Sequence, residues 1–195
     1  MITVEVGNGA ETQIFSVQQD FLCYYSPYFR VACERSSQEE QTNNLIIKEH
    51  HPAVFGTLLN WIFTQRLEDL NGELPKAKTL IRLWVLADKL LVPELQNLVI
   101  DAINKRVELN GYVQDNMCSY IYENTVKGSQ LRRLLVSHVA WRLKSSCLTV
   151  EGGHTREMLI DLACHLKDWI KQFGTHRPIV NVKDFYVNTN GIDEK

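Results

Sequence analysis

Few residues in this 195-residue chain have the types and spacing of a reactive site. Cys164-His165 pairs a thiol with an imidazole, the parts of a nucleophile and its base. On a helix, sequence neighbours diverge by about 100°, so the two cannot hydrogen-bond as a dyad. Cys164 falls opposite its segment's apolar stripe and is expected to be exposed. His50-His51 could offer zinc ligands, but adjacent residues at a helix start point apart and no cysteine is near. A solvated helix N-terminus is the simpler reading. His138 lies in the middle of an apolar face. It is either a pH-sensitive contact or, more commonly, a satisfied core or interface histidine. Glu39-Glu40 has no apolar neighbours that would raise a carboxyl pKa and reads as a solvated loop. Gly152-Gly153 follows no strand, and no GxSxG, P-loop or GxGxxG occurs. No catalytic residue, cofactor or metal site is expected.

Arg132, Arg133, Arg142 and Lys144 make a small basic cluster with only Trp141 as an aromatic platform. That pattern suits a solvated helix face better than a nucleic-acid surface. Phe21, Tyr24 and Tyr25 differ. A short helix with three aromatics carries more apolar surface than two turns can bury. Part is expected to pack in the core and the rest to meet a partner, since aromatics are enriched at interfaces.

Composition narrows the classes further. A hydrophobic fraction of 45% is ordinary for a globular protein. A net charge of −2 leaves no electrostatic footprint for direct nucleic-acid or membrane binding. Five scattered cysteines (Cys23, Cys33, Cys118, Cys147, Cys164) without CxxC spacing indicate neither a disulfide framework nor zinc. No signal segment and no Asn-x-Ser/Thr sequon is seen, so an intracellular, reducing location is expected.

The elements that must position these residues follow from periodicity. Leu80 to Val92 has only Arg82, Asp88 and Lys89 as polar members. A helix that apolar must be wrapped by neighbours, and it is too short to span a bilayer. Pro93 is expected to end it and to open a second helix carrying Leu95, Leu98, Val99, Ala102 and Ile103. Ile2, Val4 and Val6 alternate as a strand, Gly7-Asn8-Gly9 turns, and Gln13 to Val17 returns, which predicts a hairpin. Gln18 to Tyr25 predicts a short helix, and Ser26-Pro27 caps the next one. Glu34 to Asn44 reads as a polar loop and Leu45-Ile46-Ile47 as a buried strand. His51-Pro52 opens a helix with Val54, Phe55, Leu58, Leu59 and Ile62 as its stripe, where Gly56 suggests close packing. Gln65 to Lys78 reads as a linker and Glu108 to Gly111 as a turn. Further helices are expected near Val113–Glu123, over Leu131–Leu143 and over Arg156–Phe173. The last has the stripe Leu159, Leu162, Ala163, Leu166, Trp169, Ile170 and Phe173. This order predicts an α+β fold, a small sheet capped by a cluster of helices and followed by an all-helical extension.

The sequence resembles the BTB/POZ domains from Thr3 to about Arg106. The carrying blocks are Thr3-Val4-Glu5-Val6-Gly7, Phe15-Ser16-Val17, Asp20 to Phe29 with Ser26-Pro27-Tyr28-Phe29, Leu45-Ile46-Ile47, Pro52-Ala53-Val54-Phe55, Trp61-Ile62-Phe63-Thr64, Leu86-Ala87-Asp88-Lys89-Leu90 and Pro93-Glu94-Leu95. The look is nearest to the short BTB proteins of filamentous fungi, which continue into runs like Tyr122-Glu123-Asn124-Thr125, Leu131 to Val136 and Ala140-Trp141-Arg142. Departures exist. Gln18-Gln19 stands where the family usually has His-Lys. The chain opens almost directly on Ile2-Thr3-Val4, so strand swapping between subunits is not expected. The loop Ser36 to Gln41 has Glu39 and Glu40 but lacks the hydrophobic residue of the hydrophobic-x-Glu motif of several cullin-recruiting members.

The resemblance implies a BTB/POZ-like domain over 1–107. A helical extension over 108–174 and a flexible tail over 175–195 follow from the pattern. It implies a non-enzymatic module for self-association or association with other BTB proteins, or an adaptor docking a cullin-type ubiquitin-ligase scaffold. The partner-binding candidates are Phe21, Tyr24, Tyr25, Glu39 and Glu40. A transcription-associated regulator acting through a DNA-binding partner is the alternative, and a small cysteine- or metal-dependent enzyme is the remaining one.

Overall fold

The computed structural model describes residues 1–38, 44–110, 117–142, 154–174 and 181–189. Strand β1 (Ile2–Val6) buries Ile2, Val4 and Val6. Strand β2 (Gln13–Val17) runs antiparallel to it, pairing Ile2 with Val17 and Val4 with Phe15, so Phe15 and Val17 share the inner face as expected. Gly7 turns the chain between them at φ 108°, and a Cβ there would lie 2.6 Å from the Glu11 carbonyl oxygen, so only glycine fits. Strand β3 (Asn44–Ile47) lies parallel to β1 on its other side, giving the order β2-β1-β3. The expectation of a buried β3 is corrected. Among the described residues it has a single strand neighbour, and Ile46, beside Glu5 on the outer face, is 51% exposed.

Helix α1 (Gln19–Tyr25) and helix α2 (Pro27–Gln38) follow the hairpin. Glu34 to Gln38, expected to be loop, continues α2: no glycine or proline interrupts it, and Glu, Arg and Gln are good helix formers. Helix α3 (Pro52–Thr64) starts at His51, whose Nδ1 accepts the Ala53 N–H at 3.1 Å. Its buried stripe includes Val54, Phe55, Leu58, Trp61 and Ile62. Gly56 is not a close-packing site, because nothing lies within 4 Å of where its Cβ would be.

Helix α4 (Ala77–Lys89) is the wrapped helix that its composition demands, with Leu80, Ile81 and Leu83 to Ala87 buried. Pro93 is not what stops it. The Val92 N–H bonds to the Ala87 carbonyl at 2.9 Å and the Leu91 N–H to Asp88 at 3.1 Å, with Leu91 left-handed at φ 57°. This is a Schellman stop, completed before Pro93 opens helix α5 (Pro93–Asn110). Ser26 links two ends of this assembly: its Oγ donates to the Leu90 carbonyl at 2.7 Å and accepts the Phe29 N–H at 3.3 Å. The turn expected at Glu108 is absent as far as Asn110, where α5 continues.

Helices α6 (Cys118–Asn124), α7 (Gln130–Arg142) and α8 (Arg156–Phe173) complete the described helices. The α7 face buries Leu131, Leu134, Leu135 and Val139. The α8 stripe is less covered than its pattern suggests: Met158 and Leu162 are buried, but Ile170 and Phe173 are exposed. Residues 181–189 belong to the stretch expected to be a loose tail. They hold a 3-10 turn over Val182–Phe185 with Phe185 buried.

The chain divides into two compact units. One comprises Met1–Pro75, Arg82–Gln96 and Asn188–Lys195, and the other Lys76–Ile81 and Asn97–Val187. No described helix is long and apolar enough to cross a membrane.

Candidate protein-interaction surface

The aromatic residues singled out from the sequence sit in the first unit. Leu22 turns the inner face of α1 into the core, which leaves Phe21 and Tyr24 outward. Tyr25 is half-buried between them and the core: its ring meets Trp61 at 5.1 Å on one side and Tyr24 at 4.9 Å on the other. Phe21 meets Phe63 of α3 edge to face at 5.3 Å. Tyr24 is 76% exposed, Phe63 56% and Phe21 41%. Two adjacent helices therefore carry large aromatic groups that the unit itself does not cover. Arg30 closes the end of α1, its guanidinium donating to the Cys23 carbonyl at 3.4 Å.

Phe63 was missed as a surface residue. Its signal was present, since it falls off the stripe formed by Val54, Phe55, Leu58 and Ile62. Glu39 and Glu40 lie outside the described residues.

The residues weighed for chemistry are not gathered into one site. His51 is exposed, as a helix N-terminus should be, but His50 is buried. That corrects the solvated reading for His50. Its Nε2 has no partner among the described residues. Burial, reinforced by nearby Lys89, pushes its imidazole down to about 4. Lys89 itself pairs with Glu49, whose carboxyl is held below the usual range by that contact. Cys164 is exposed as expected. Cys33 is buried, and its thiol hydrogen-bonds that of Cys23; burial first, and then Cys23, push it up to about 12. Among the described residues no group of three or more His, Cys, Asp or Glu could hold a metal ion.

The solvated-face reading of the basic cluster fails at Arg132. Arg132 is buried, and its guanidinium donates to Thr125 Oγ1 at 2.9 Å, to Glu157 at 3.0 Å, and to the carbonyls of Tyr122 (2.6 Å) and Thr125. Arg133 is exposed, Arg142 reaches the Val107 carbonyl at 3.4 Å, and Lys144 lies outside the described residues.

No curated protein matches the chain. Among solved structures, the BTB (Tramtrack and Bric a brac) domain of human gigaxonin is 21% identical, with a TM-score of 0.40, over 50% of this chain and 74% of that one. The sequence pattern of the BTB/POZ domain matches residues 2–106. That span takes in the sheet, helices α1 to α4 and most of α5, and it is more than half of the chain: the protein belongs to the BTB/POZ domain family.

Proposed function

We propose that this BTB/POZ protein is a non-enzymatic association module whose docking surface is the aromatic face of α1 and α3, built from Phe21, Tyr24, Tyr25 and Phe63. The observation that carries this reading is the exposure of Tyr24, Phe63 and Phe21 on neighbouring helices. Aromatic side chains offer large contact area at low entropy cost and are frequent hot spots. Exposed apolar patches rimmed by polar residues mark such sites.

The partner is a second copy, another BTB protein or a cullin-type scaffold, with residues 1–107 as the docking domain, followed in the chain by a helical extension over 108–174. The runs Tyr122 to Thr125 and Leu131 to Val136 support kinship with the short fungal BTB proteins.

The test compares the wild-type chain with a Phe21→Ala/Tyr24→Ala variant. Self-association is read by sedimentation, and partner capture from native extract is read by mass spectrometry. The variant should melt within about 1 kcal/mol of wild type, since both side chains are substantially exposed, and should lose at least tenfold in whichever association the wild type shows. Unchanged association would place the docking surface elsewhere.

A further inference from the structure

The stretch 181–189 is held by an unusually specific set of contacts for a segment with so little apolar pattern. Asn181 caps its 3-10 turn, Oδ1 accepting the Lys183 N–H at 3.2 Å. Beyond the turn the chain is read by side chains of α5. The Asn97 carboxamide engages both backbone groups of Val187: Nδ2 donates to the carbonyl at 3.0 Å, and Oδ1 accepts the N–H at 2.6 Å. Four residues on, along the same helix face, Asp101 accepts the Tyr186 hydroxyl at 2.5 Å. Phe185 is 8% exposed, with the Arg133 guanidinium 5.8 Å from its ring centre.

An amide side chain pairing with the main chain, flanked by seats for neighbouring side chains, is how grooves read extended peptides. Phe185 is its only fully buried residue, and one 3-10 turn has no stability of its own. Segments anchored so locally open at low cost. The seat also continues past its occupant. Phe185 and Asp184 form one side of a cavity of about 580 Å³, with Trp169, Phe173 and His165 among its other lining residues.

We propose that the face of α5 around Asn97 and Asp101, with Arg133 of α7, is a peptide-docking site that the chain's own 181–187 segment closes in cis, and that the same segment of a second copy fills in trans. The choice of occupant rests on the fit: Phe185-Tyr186-Val187 is the sequence whose ring, hydroxyl and backbone match the three anchors. Exchange of an identical element between protomers requires no new interface. The cis segment belongs to the same chain and so competes intramolecularly for the seat, and trans docking emerges when the cis segment is weakened or the local chain concentration is high.

The experiment uses full-length chains and a fluorescein-labelled peptide of residues 181–189. A Phe185→Ala/Tyr186→Ala chain, checked for cooperative melting, should bind the peptide at least tenfold more tightly than wild type. Adding Asn97→Ala to that chain should remove at least tenfold of the binding. Mixing an Asn97→Ala chain, whose segment is intact, with the Phe185→Ala/Tyr186→Ala chain, whose groove is intact, should give a mixed species in sedimentation. That species should vanish when both chains carry Asn97→Ala. A folded Phe185→Ala/Tyr186→Ala chain that binds no better than wild type, or binding indifferent to Asn97, overturns the docking site. Peptide binding without the mixed species overturns the second copy as its occupant.

Discussion

His138 lies on α7 with 2% of its surface exposed, and its Nε2 has no partner among the described residues. Of the two sequence readings, the satisfied core histidine is corrected at Nε2, and the pH-sensitive contact is the one its burial supports. Burial, and to a lesser degree the charge of Arg142, lower its imidazole from 6.5 to about 4. The folded chain therefore keeps His138 neutral where the unfolded chain protonates it. Stability from this residue is fully present above pH 6.5 and is lost as pH falls through the window from 6.5 to 4. Between pH 7.5 and pH 5 the loss is about 2 kcal/mol. His138→Leu should flatten that part of the pH dependence by a similar amount in urea denaturation. It should do so with little cost at pH 7.5, because no hydrogen bond to Nε2 is broken. An unchanged pH profile in the variant would mean that the acid sensitivity resides elsewhere, with His50 the next residue to replace.

One side chain ties helices α6, α7 and α8 together alongside their apolar stripes. Arg132 of α7 satisfies the Tyr122 and Thr125 carbonyls at the end of α6, reaches Glu157 at the start of α8, and lies with its guanidinium carbon 4.2 Å from the Tyr122 ring centre. Tyr122 in turn donates to Asp161 of α8 at 2.8 Å. Arg132→Met leaves two carbonyls and a hydroxyl without their donor and should cost about 3 kcal/mol in denaturant unfolding. Glu157→Gln should cost under about 1 kcal/mol, because the Glu157 side chain is 70% exposed and its half of the pair is screened. Equal losses would instead make the ion pair the main contribution. The sequence leaves Arg132 among the solvated charges because periodicity registers only apolar residues; nothing in Leu131-Arg132-Arg133-Leu134 says which arginine turns inward. The elements that were legible are those whose own pattern fixes them: β1 by alternation, α2 by Ser26-Pro27, and α4 by its lack of polar residues. The α1 share of the exposed aromatic face is legible in the same way, as an excess of rings on a two-turn helix, whereas Phe63 of α3 is not singled out by any such excess. What was not legible depends on long-range partners. Whether Ile46 is covered depends on its strand neighbours, and the seat of Tyr186 depends on Asp101, 85 positions away in sequence.

On the scale of the molecule, charge and aromatic exposure point to the same kind of binding. The net charge is −2 across 195 residues, too small to build a long-range field. The outward groups of α1 and α3 include the rings of Phe21, Tyr24 and Phe63, with Asp20 and Arg30 as exposed charges of opposite sign nearby in the chain. Association through such a surface gains from burying apolar area and very little from pairing charge. Apolar burial leaves a negative heat-capacity change on binding, and it is nearly blind to screening, whereas exposed ion pairs weaken once the Debye length shrinks to a few ångströms. The dissociation constant of the self-associated or partner-bound state should therefore change less than about threefold between 0.05 and 0.5 M salt, while calorimetry at several temperatures gives a negative slope of enthalpy. The Phe21→Ala/Tyr24→Ala chain should reduce that slope along with the affinity. A dissociation constant that rises tenfold or more over the same salt range would assign the binding to charged residues instead, and the aromatic face would then be a surface without that role.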